Sequence, residues 1–299
     1  LEAIRQPELS AEITLQPVRR HGVDAAVLYS DIVVPAHAVG FGIDVAPGTG
    51  PVAEHPFRSR ADLDRLRPLE PTDIEYVTKT VELVVADLPP TVPVLAFAGA
   101  PFTVASYLIE GRPSRDYVNT KALLHTDPAL WHDLMERLAD SAIAFVSAQL
   151  GSGARAFQLF DSWAGALSPA DYAEYVLPHS RRVFTELAER HPDVASIHYG
   201  VACDHLLEPM FQAGPTVIGL DWRTSIGSAA RCVVCAACCS RFISRLSRAM
   251  VPSFGSYTYR PVCPPSPVSH VTALSQARPN GRPPGGGRVG AACAGPGRG

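Results

Sequence analysis

Lysine is almost missing from this chain, since only Lys79 and Lys121 stand beside 24 arginines. Beyond residue 222 aspartate, glutamate and lysine are all missing, while ten arginines remain. All 29 acidic residues therefore lie in residues 1–222, together with 16 of the 26 basic ones, so this part is strongly acidic. That balance argues against general nucleic-acid binding by residues 1–222. The whole-chain charge of −3 hides two unlike parts.

Long apolar runs and cysteines are also scarce. No stretch of about 18 apolar residues occurs, which argues against a membrane-spanning helix. Residues 1–222 contain one cysteine, Cys203, so we expect no disulfide scaffold there and a reducing, cytoplasmic compartment. The chain opens LEAIR, with neither an initiator methionine nor a signal-peptide pattern, and we interpret this as a processed start or a fragment.

Several motifs that hold cofactors or metals are missing. Neither G-x-G-x-x-G nor G-x-x-x-x-G-K-[ST] occurs, and H-E-x-x-H and G-x-S-x-G are absent too. Four tail cysteines (Cys232, Cys235, Cys238 and Cys239) have the spacing of a metal site, but no second ligand pair follows at suitable spacing. We therefore expect neither a cofactor nor a metal.

Five short apolar runs indicate strands: 25–34, 92–98, 156–160, 195–199 and 217–222. They are mostly continuous rather than alternating, which is typical of strands buried on both faces. Helices are predicted between them, with starts at Asp127-Pro128 and Ser168-Pro169. This alternation predicts a parallel sheet, and the lack of a Gly-rich turn after the first strand favours a (β/α)8 TIM barrel over a doubly wound sheet.

The chain divides into two regions at about residue 226. Residues 1–226 are predicted to form a partial barrel with about five recognisable strands. Residues 227–299 are rich in Arg, Pro, Gly and Cys and show no useful helix or strand period. We expect this low-complexity tail to be disordered, because its composition cannot bury enough apolar surface to offset its ordering entropy.

Polar residues follow each predicted strand, where a barrel places its reactive groups. They are Asp31, Thr103, Tyr107, Glu110, Ser162, His198, Tyr199 and Asp221. Each also has a structural interpretation. An aspartate after a strand is often a helix cap, Tyr107 fits a core aromatic, Ser162 fits a turn, and His198 fits a packing residue. Position alone names no reaction.

Several stretches resemble the uroporphyrinogen decarboxylase family: residues 7–52 with the motif YSDIVVP, then FAGAPFTVASYLIEG, QLFDSWAGALSPADYAEYVLPHSRRVF, IHYG and VIGLDWR. The resemblance runs unbroken over about residues 1–226. It implies a cofactor-free barrel that forms a homodimer, with no nucleic-acid or membrane partner. It also implies that four acetate side chains of uroporphyrinogen III become methyl groups, giving coproporphyrinogen III for haem and chlorophyll.

The resemblance also implies roles for three residues. Asp31, in YSDIVVP, matches the catalytic carboxylate that binds the pyrrole N–H groups of the substrate. Tyr107, in ASYLIEG, and Ser162, in FDSWAG, match the substrate-binding tyrosine and serine or threonine. A carboxylate suits this chemistry because it can stabilise a protonated, cationic pyrrole.

The sequence departs from the family at both ends. An R-Q-A-G-R loop, a Q-G-N-L-D-P strand and a G-H-G segment are not found. We interpret the tail as the product of a shifted reading frame and expect the barrel to lack its first strand and its last two. For these reasons the 299-residue chain is predicted to be poorly soluble and inactive.

Two other functions remain open. The first is a corrinoid or coenzyme M methyltransferase of the same barrel superfamily, whose relatives bind zinc through His-x-Cys and a later Cys. Here the corresponding stretch is His198-Tyr199-Gly200, without that cysteine. The second is non-enzymatic nucleic-acid binding through the basic tail, which lacks the aromatic-Gly-Arg repeats of RNA-binding segments.

Overall fold

A computed structural model describes residues 1–227, residues 229–230 and the backbone of residues 271–272. One parallel sheet of six strands dominates it, in the order β1-β4-β5-β6-β7-β8, and a separate antiparallel hairpin joins β2 to β3. The strands are β1 Ala26–Val27, β2 Ile43–Ala46, β3 Gly50–Ala53, β4 Val94–Gly99, β5 Ala156–Asp161, β6 Ala195–Gly200, β7 Val217–Gly219 and β8 Val271–Thr272.

Helices connect the strands. The α-helices are α1 Pro7–His21, α2 Val34–Ala38, α3 Glu75–Asp87, α4 Pro101–Glu110, α5 Val118–Thr126, α6 Pro128–Gly151, α7 Pro169–Asp171, α8 Leu177–Arg190 and α9 Leu207–Gln212, and a π-helical turn, Tyr172–Val176, joins α7 to α8. Within the described part of the chain, no helix combines the length and the apolar character that crossing a lipid bilayer requires.

The strand order is that of a TIM barrel. Neighbouring strands of the sheet are parallel, and they lie side by side in the order in which they occur along the chain, from β1 to β8. In a doubly wound sheet the order of the strands reverses at a switch point, and the order of the described strands contains no such reversal. The predicted α/β class and incomplete (β/α)8 architecture are therefore confirmed. Among the described residues β1 and β8 form the two ends of the arc, with no pairing between them.

Continuous apolar sequence explains the central strands. All six residues of β4 are buried, because helices cover one face and the side chains of the barrel interior cover the other. Helix α6 starts where the sequence predicted, since the side chain of Asp127 accepts a hydrogen bond from the amide of Leu130 at 3.0 Å. One face of this helix is buried against the sheet and its neighbours, including Leu130, Leu134, Leu138 and Phe145.

The first strand is shorter than predicted. The run 25–34 yields only β1, because the chain leaves the sheet after Leu28 and the amide of Tyr29 donates to Thr14 Oγ1 at 2.9 Å. Pro35, which has no amide hydrogen, then stands in the first turn of α2. Asp31 consequently lies in the loop between β1 and α2.

Three other features differ from the sequence prediction. The run 217–222 forms a strand only at β7. The β2–β3 hairpin was not predicted, although Pro47 and Gly48 are turn residues and Gly48 has φ of 72°. Strand β8 was not predicted either. Apart from it and residues 227, 229 and 230, the predicted disordered tail of 227–299 lies outside the described residues.

Candidate active site at the carboxyl ends of the strands

Asp31 follows β1 and is held by its own turn. Its Oδ1 accepts a hydrogen bond from the amide of Val33 at 3.0 Å, and its carbonyl accepts one from Val34 at 3.2 Å. The side chain is half-buried and forms no salt bridge among the described residues. Burial raises the pKa of the Asp31 carboxyl, and the Val33 and Ile32 amides only partly offset this. The positive charge of the Leu1 amino group also lowers this pKa, so Asp31 is a carboxylate that lacks an ion-pair partner among the described residues but not a nearby positive charge.

Tyr107 lies on α4, the helix that follows β4. Its pKa is raised chiefly by burial and further by the negative charge of Asp31. The ring of Tyr107 also lies edge-on against the ring of Trp163, with centroids 5.7 Å apart. The charge of Asp31 thus acts on the Tyr107 hydroxyl, and the sequence-based expectation that the two residues share one site stays a prediction.

Ser162 comes directly after β5, at the same end of the sheet. It is half-buried, and within the described residues it shares no hydrogen bond with Asp31 or Tyr107. Its link to them passes through the next residue, Trp163, whose ring contacts Tyr107. The three predicted site residues thus follow the neighbouring strands β1, β4 and β5, and the roles of all three remain predictions.

Three of the other strand-end residues have structural roles. Glu110 accepts hydrogen bonds from the Thr120 amide and hydroxyl, each at 2.8 Å, and so caps the start of α5. His198 is fully buried between the sheet and α8, with its Nδ1 3.3 Å from the carbonyl oxygen of Met210. Asp221 accepts a hydrogen bond from the Ala202 amide at 3.1 Å. These contacts favour capping and packing over catalysis.

An aromatic row lines the face of the sheet opposite the helices. The ring of Phe97 on β4 lies 5.4 Å from that of Phe160 on β5, which lies 5.8 Å from that of Tyr199 on β6. Phe157, with the opposite orientation on β5, stacks instead on Phe184 of α8. Because side chains alternate along a strand, the row belongs to the barrel interior, below the loops that carry Asp31 and Ser162.

A second aromatic group extends the rim of the site. The ring of Trp163 lies 5.7 Å from both Tyr107 and Tyr117. Tyr117 is buried and has φ of 53°, a left-handed backbone that non-glycine residues rarely adopt. The sequence carried no signal for Tyr117, since it lies beyond α4 and far from any strand. Trp163 could have been found, because it follows Ser162 in the same loop.

Possible metal ligands do not gather in the described part of the chain, where no group of three His, Cys, Asp or Glu side chains has a suitable arrangement. The tail cysteines of the sequence prediction lie outside the described residues. Cys203 is buried, and burial raises the pKa of its thiol.

Comparison with known proteins gives a consistent result. The model of the family "Uroporphyrinogen decarboxylase (URO-D)" matches residues 1–241. The chain is 55% identical over 231 residues to a uroporphyrinogen decarboxylase of Salinispora tropica, covering 77% of this chain and 62% of that protein. It is also 55% identical over 231 residues to one of Streptomyces coelicolor, covering 77% and 64%. The chain thus spans a little under two thirds of the length of these relatives.

A solved structure shares the fold. A methyltransferase from Methanosarcina mazei superposes with a TM-score of 0.65, covering 79% of this chain and 69% of that one, at 18% sequence identity. Identity this low shows the common barrel fold alone. The family match over residues 1–241 is far more specific, and the chain belongs to the uroporphyrinogen decarboxylase family.

Proposed function

We propose that residues 1–226 carry the candidate site for the decarboxylation of uroporphyrinogen III to coproporphyrinogen III, a carboxy-lyase reaction, while the 299-residue chain by itself stays predicted to be inactive. One observation carries the proposal beyond family membership. The Asp31 carboxylate is half-buried at the carboxyl ends of the strands, its charge raises the pKa of Tyr107, and it has no salt-bridge partner among the described residues. Such a group can accept hydrogen bonds from a ligand and stabilise a positive charge on it.

The reaction needs such a carboxylate. A proton added to a pyrrole carbon turns the ring into a cation that can accept an electron pair. The bond between the acetate methylene and its carboxylate then breaks, its electron pair enters the ring and carbon dioxide leaves. A proton added to the methylene carbon and loss of the ring proton complete the methyl group. Each acetate therefore takes up one proton and releases one carbon dioxide.

Asp31 is proposed to stabilise the cationic intermediate. Its free carboxylate oxygen accepts hydrogen bonds from inward-pointing pyrrole N–H groups, while the Val33 amide holds the other oxygen. The negative charge stabilises the protonated ring more than the neutral substrate, and that difference lowers the barrier. Asp31 does not need to transfer a proton itself in this scheme.

Tyr107 and Ser162 are proposed to bind the substrate as neutral hydrogen-bond donors. Burial and the charge of Asp31 raise the pKa of Tyr107, which keeps its hydroxyl protonated and able to donate. The apolar row of Phe97, Phe160 and Tyr199 provides a floor against which a tetrapyrrole can pack.

The remaining features of the proposal follow from the family resemblance. They are a homodimer in the cytoplasm, a small-molecule substrate, no bound cofactor or metal, and no nucleic-acid or membrane partner. The pathway served is porphyrin and haem biosynthesis.

A grafted enzyme tests the proposal. The 231 aligned residues of the Salinispora tropica relative are replaced by those of this chain, so that the relative supplies the rest of its length. Coproporphyrinogen formation is then measured under anaerobic conditions. We expect the graft to be active, and its Asp31→Asn variant to lose turnover by at least about 100-fold. A folded graft without activity, or one indifferent to Asp31→Asn, would overturn the proposal.

A further inference from the structure

The hydroxyl of Thr103 joins two loops of the candidate site. It donates a hydrogen bond to Oδ1 of Asp161 at 3.0 Å and accepts one from the backbone amide of Trp163 at 3.2 Å. Thr103 lies in the first turn of α4, after β4, whereas Trp163 lies in the loop after β5. Both Thr103 and Asp161 are completely buried. One hydroxyl therefore uses its donor and an acceptor position to tie the loop to the helix.

Asp161 is an unusual group for this position. It is the last residue of β5 and points toward the helices, where its Oδ2 lies 3.5 Å from the hydroxyl of Tyr172 and 3.5 Å from Nε2 of His198. Burying a carboxylate is costly unless hydrogen bonds and charge compensate it. A residue that only filled space here would be apolar, so the carboxylate points to a positioning role.

The tied loop carries the residues of the candidate site. Ser162 and Trp163 follow Asp161 directly, and the Trp163 ring contacts Tyr107 and Tyr117. On its other side the loop packs against the backbone of Val201 at Gly165, where a Cβ atom would lie 2.4 Å from the carbonyl oxygen of Val201. Backbone therefore packs closely against one side of the loop, and the Thr103 hydroxyl bonds it on the other.

We infer that Thr103 and Asp161 are positioning residues that hold the 162–163 loop so that Ser162 and Trp163 face the substrate. The substrate part of this inference rests on the proposed decarboxylation, but the loop placement does not. Neither residue touches the reacting atoms. Their effect passes through the Trp163 amide and the backbone of Ser162.

The test compares three variants. Thr103→Val removes the hydroxyl at nearly constant volume, Thr103→Ser keeps it, and Thr80→Val is the control. Thr80 is also buried, with its hydroxyl bonded to the carbonyl of Tyr76 at 2.8 Å, but it lies on α3. Thr80→Val therefore costs a buried hydrogen bond without touching the loop.

The loop is observed directly in the full 299-residue chain. The three tryptophans are labelled with 5-fluorotryptophan, and the Trp163 fluorine resonance is assigned by its loss in Trp163→Phe. Thr103→Val should shift or broaden that resonance and leave the resonance of the exposed Trp222 in place. Thr103→Ser and Thr80→Val should leave both unchanged. If Thr103→Val does not fold, Thr103→Cys, with a weaker S–H donor, should give a smaller shift of the same resonance.

Kinetics in the grafted enzyme test the consequence for the substrate. Thr103→Val should lower kcat/KM by about 10- to 100-fold, mainly through a higher KM, because Asp31 is untouched. Thr103→Ser should restore most of it. If the unmodified graft is inactive, the proposed decarboxylation fails, while the Trp163 resonance still decides the loop placement. An unmoved Trp163 resonance, or a KM equal to that of Thr80→Val, would refute the positioning role.

Discussion

The side chain of Gln149, on α6, completes the hydrogen bonding of Phe97, on β4. Its Nε2 donates to the Phe97 carbonyl at 2.9 Å, and its Oε1 accepts from the Phe97 amide at 3.2 Å. If β1 were longer, its own backbone groups would form these hydrogen bonds with Phe97, but β1 pairs with β4 only through residues 26–27. A helix side chain therefore substitutes for the missing strand.

Replacing Gln149 should therefore destabilise the fold. Gln149→Leu leaves a buried amide and a buried carbonyl unpaired, at a cost of about 2–4 kcal/mol in the free energy of unfolding. Urea denaturation measures the change. Gln16→Leu, at an exposed position of α1, should change stability by less than about 0.5 kcal/mol. Equal effects of the two variants would contradict the role given to Gln149.

The substitution Asp31→Asn should lower activity without lowering the free energy of unfolding. The pKa of Asp31 is raised in the folded state, so the folded protein binds this proton more tightly than the unfolded chain. Its stabilising effect is present below the unfolded pKa and is lost as the pH rises through the folded pKa. At neutral pH the ionised side chain is therefore destabilising, and asparagine should remove that penalty.

The measurement compares unfolding at pH 7 with turnover of the graft. Asp31→Asn should leave the free energy of unfolding unchanged or higher, whereas turnover falls. Asn Oδ1 can still accept the Val33 amide hydrogen bond. Asp24→Asn, at an exposed position, serves as the control and should alter neither quantity. Parallel loss of stability and activity in Asp31→Asn would make Asp31 a structural residue.

His179 should make the fold sensitive to acid. Burial lowers its pKa to about 4, although Glu136 opposes the shift, and its side chain is 3% exposed. Its neighbours are His132, with Nδ1 2.8 Å from His179 Nε2, and Arg182, which bonds Glu136. Between pH 6.5 and 4 the unfolded chain binds more protons than the folded one, so stability falls on acidification.

The expected loss is roughly 2–3 kcal/mol between pH 7 and pH 4 from this one group. Urea unfolding at several pH values measures it. His179→Gln should flatten the dependence by that amount, while His21→Gln, at an exposed position, should leave the slope as it is. A His179→Gln protein with the parental slope would show that His179 titrates normally.

Replacing two different glycines by alanine should change the stability of the fold in opposite directions. At Gly165 a Cβ atom would lie 2.4 Å from Val201 O and 2.7 Å from Ala202 O, so Gly165→Ala must displace backbone and should cost about 1–3 kcal/mol. At Gly151, the last residue of α6, a Cβ atom meets nothing within 4 Å. Gly151→Ala should stabilise by up to about 1 kcal/mol. Thermal unfolding of both variants distinguishes them, and destabilisation at Gly151 would contradict the open space described there.

The parallel strands and their order were predictable because continuous apolar runs between helical segments allow few other arrangements. The length of β1 was not, since it depends on Thr14 and Gln149, which lie outside residues 25–34 and form hydrogen bonds with backbone groups that a longer strand would use. The short strands β7 and β8 likewise depend on pairing between distant segments.

The candidate site, like the fold, could be predicted only in part. Asp31 and Tyr107 could be expected to meet, because both follow neighbouring strands of a parallel sheet. The ring contacts of Trp163 with Tyr107 and Tyr117 could not be predicted, since they depend on the left-handed backbone of Tyr117 and on the buried hydroxyl of Thr103. Side-chain ties of this kind leave no periodic signal.

The short first strand gives the two sides of the site different local stability. In the described part of the chain the Asp31 loop is attached to the sheet through a strand that pairs at two residues on one side, whereas the Ser162 loop follows β5, which is paired along both edges. Segments with few backbone hydrogen bonds open at lower free energy than the whole molecule unfolds. Amide hydrogens of residues 28–34 should thus exchange with solvent sooner than those of residues 157–161. A ligand that bridges both sides should slow exchange most in the Asp31 loop.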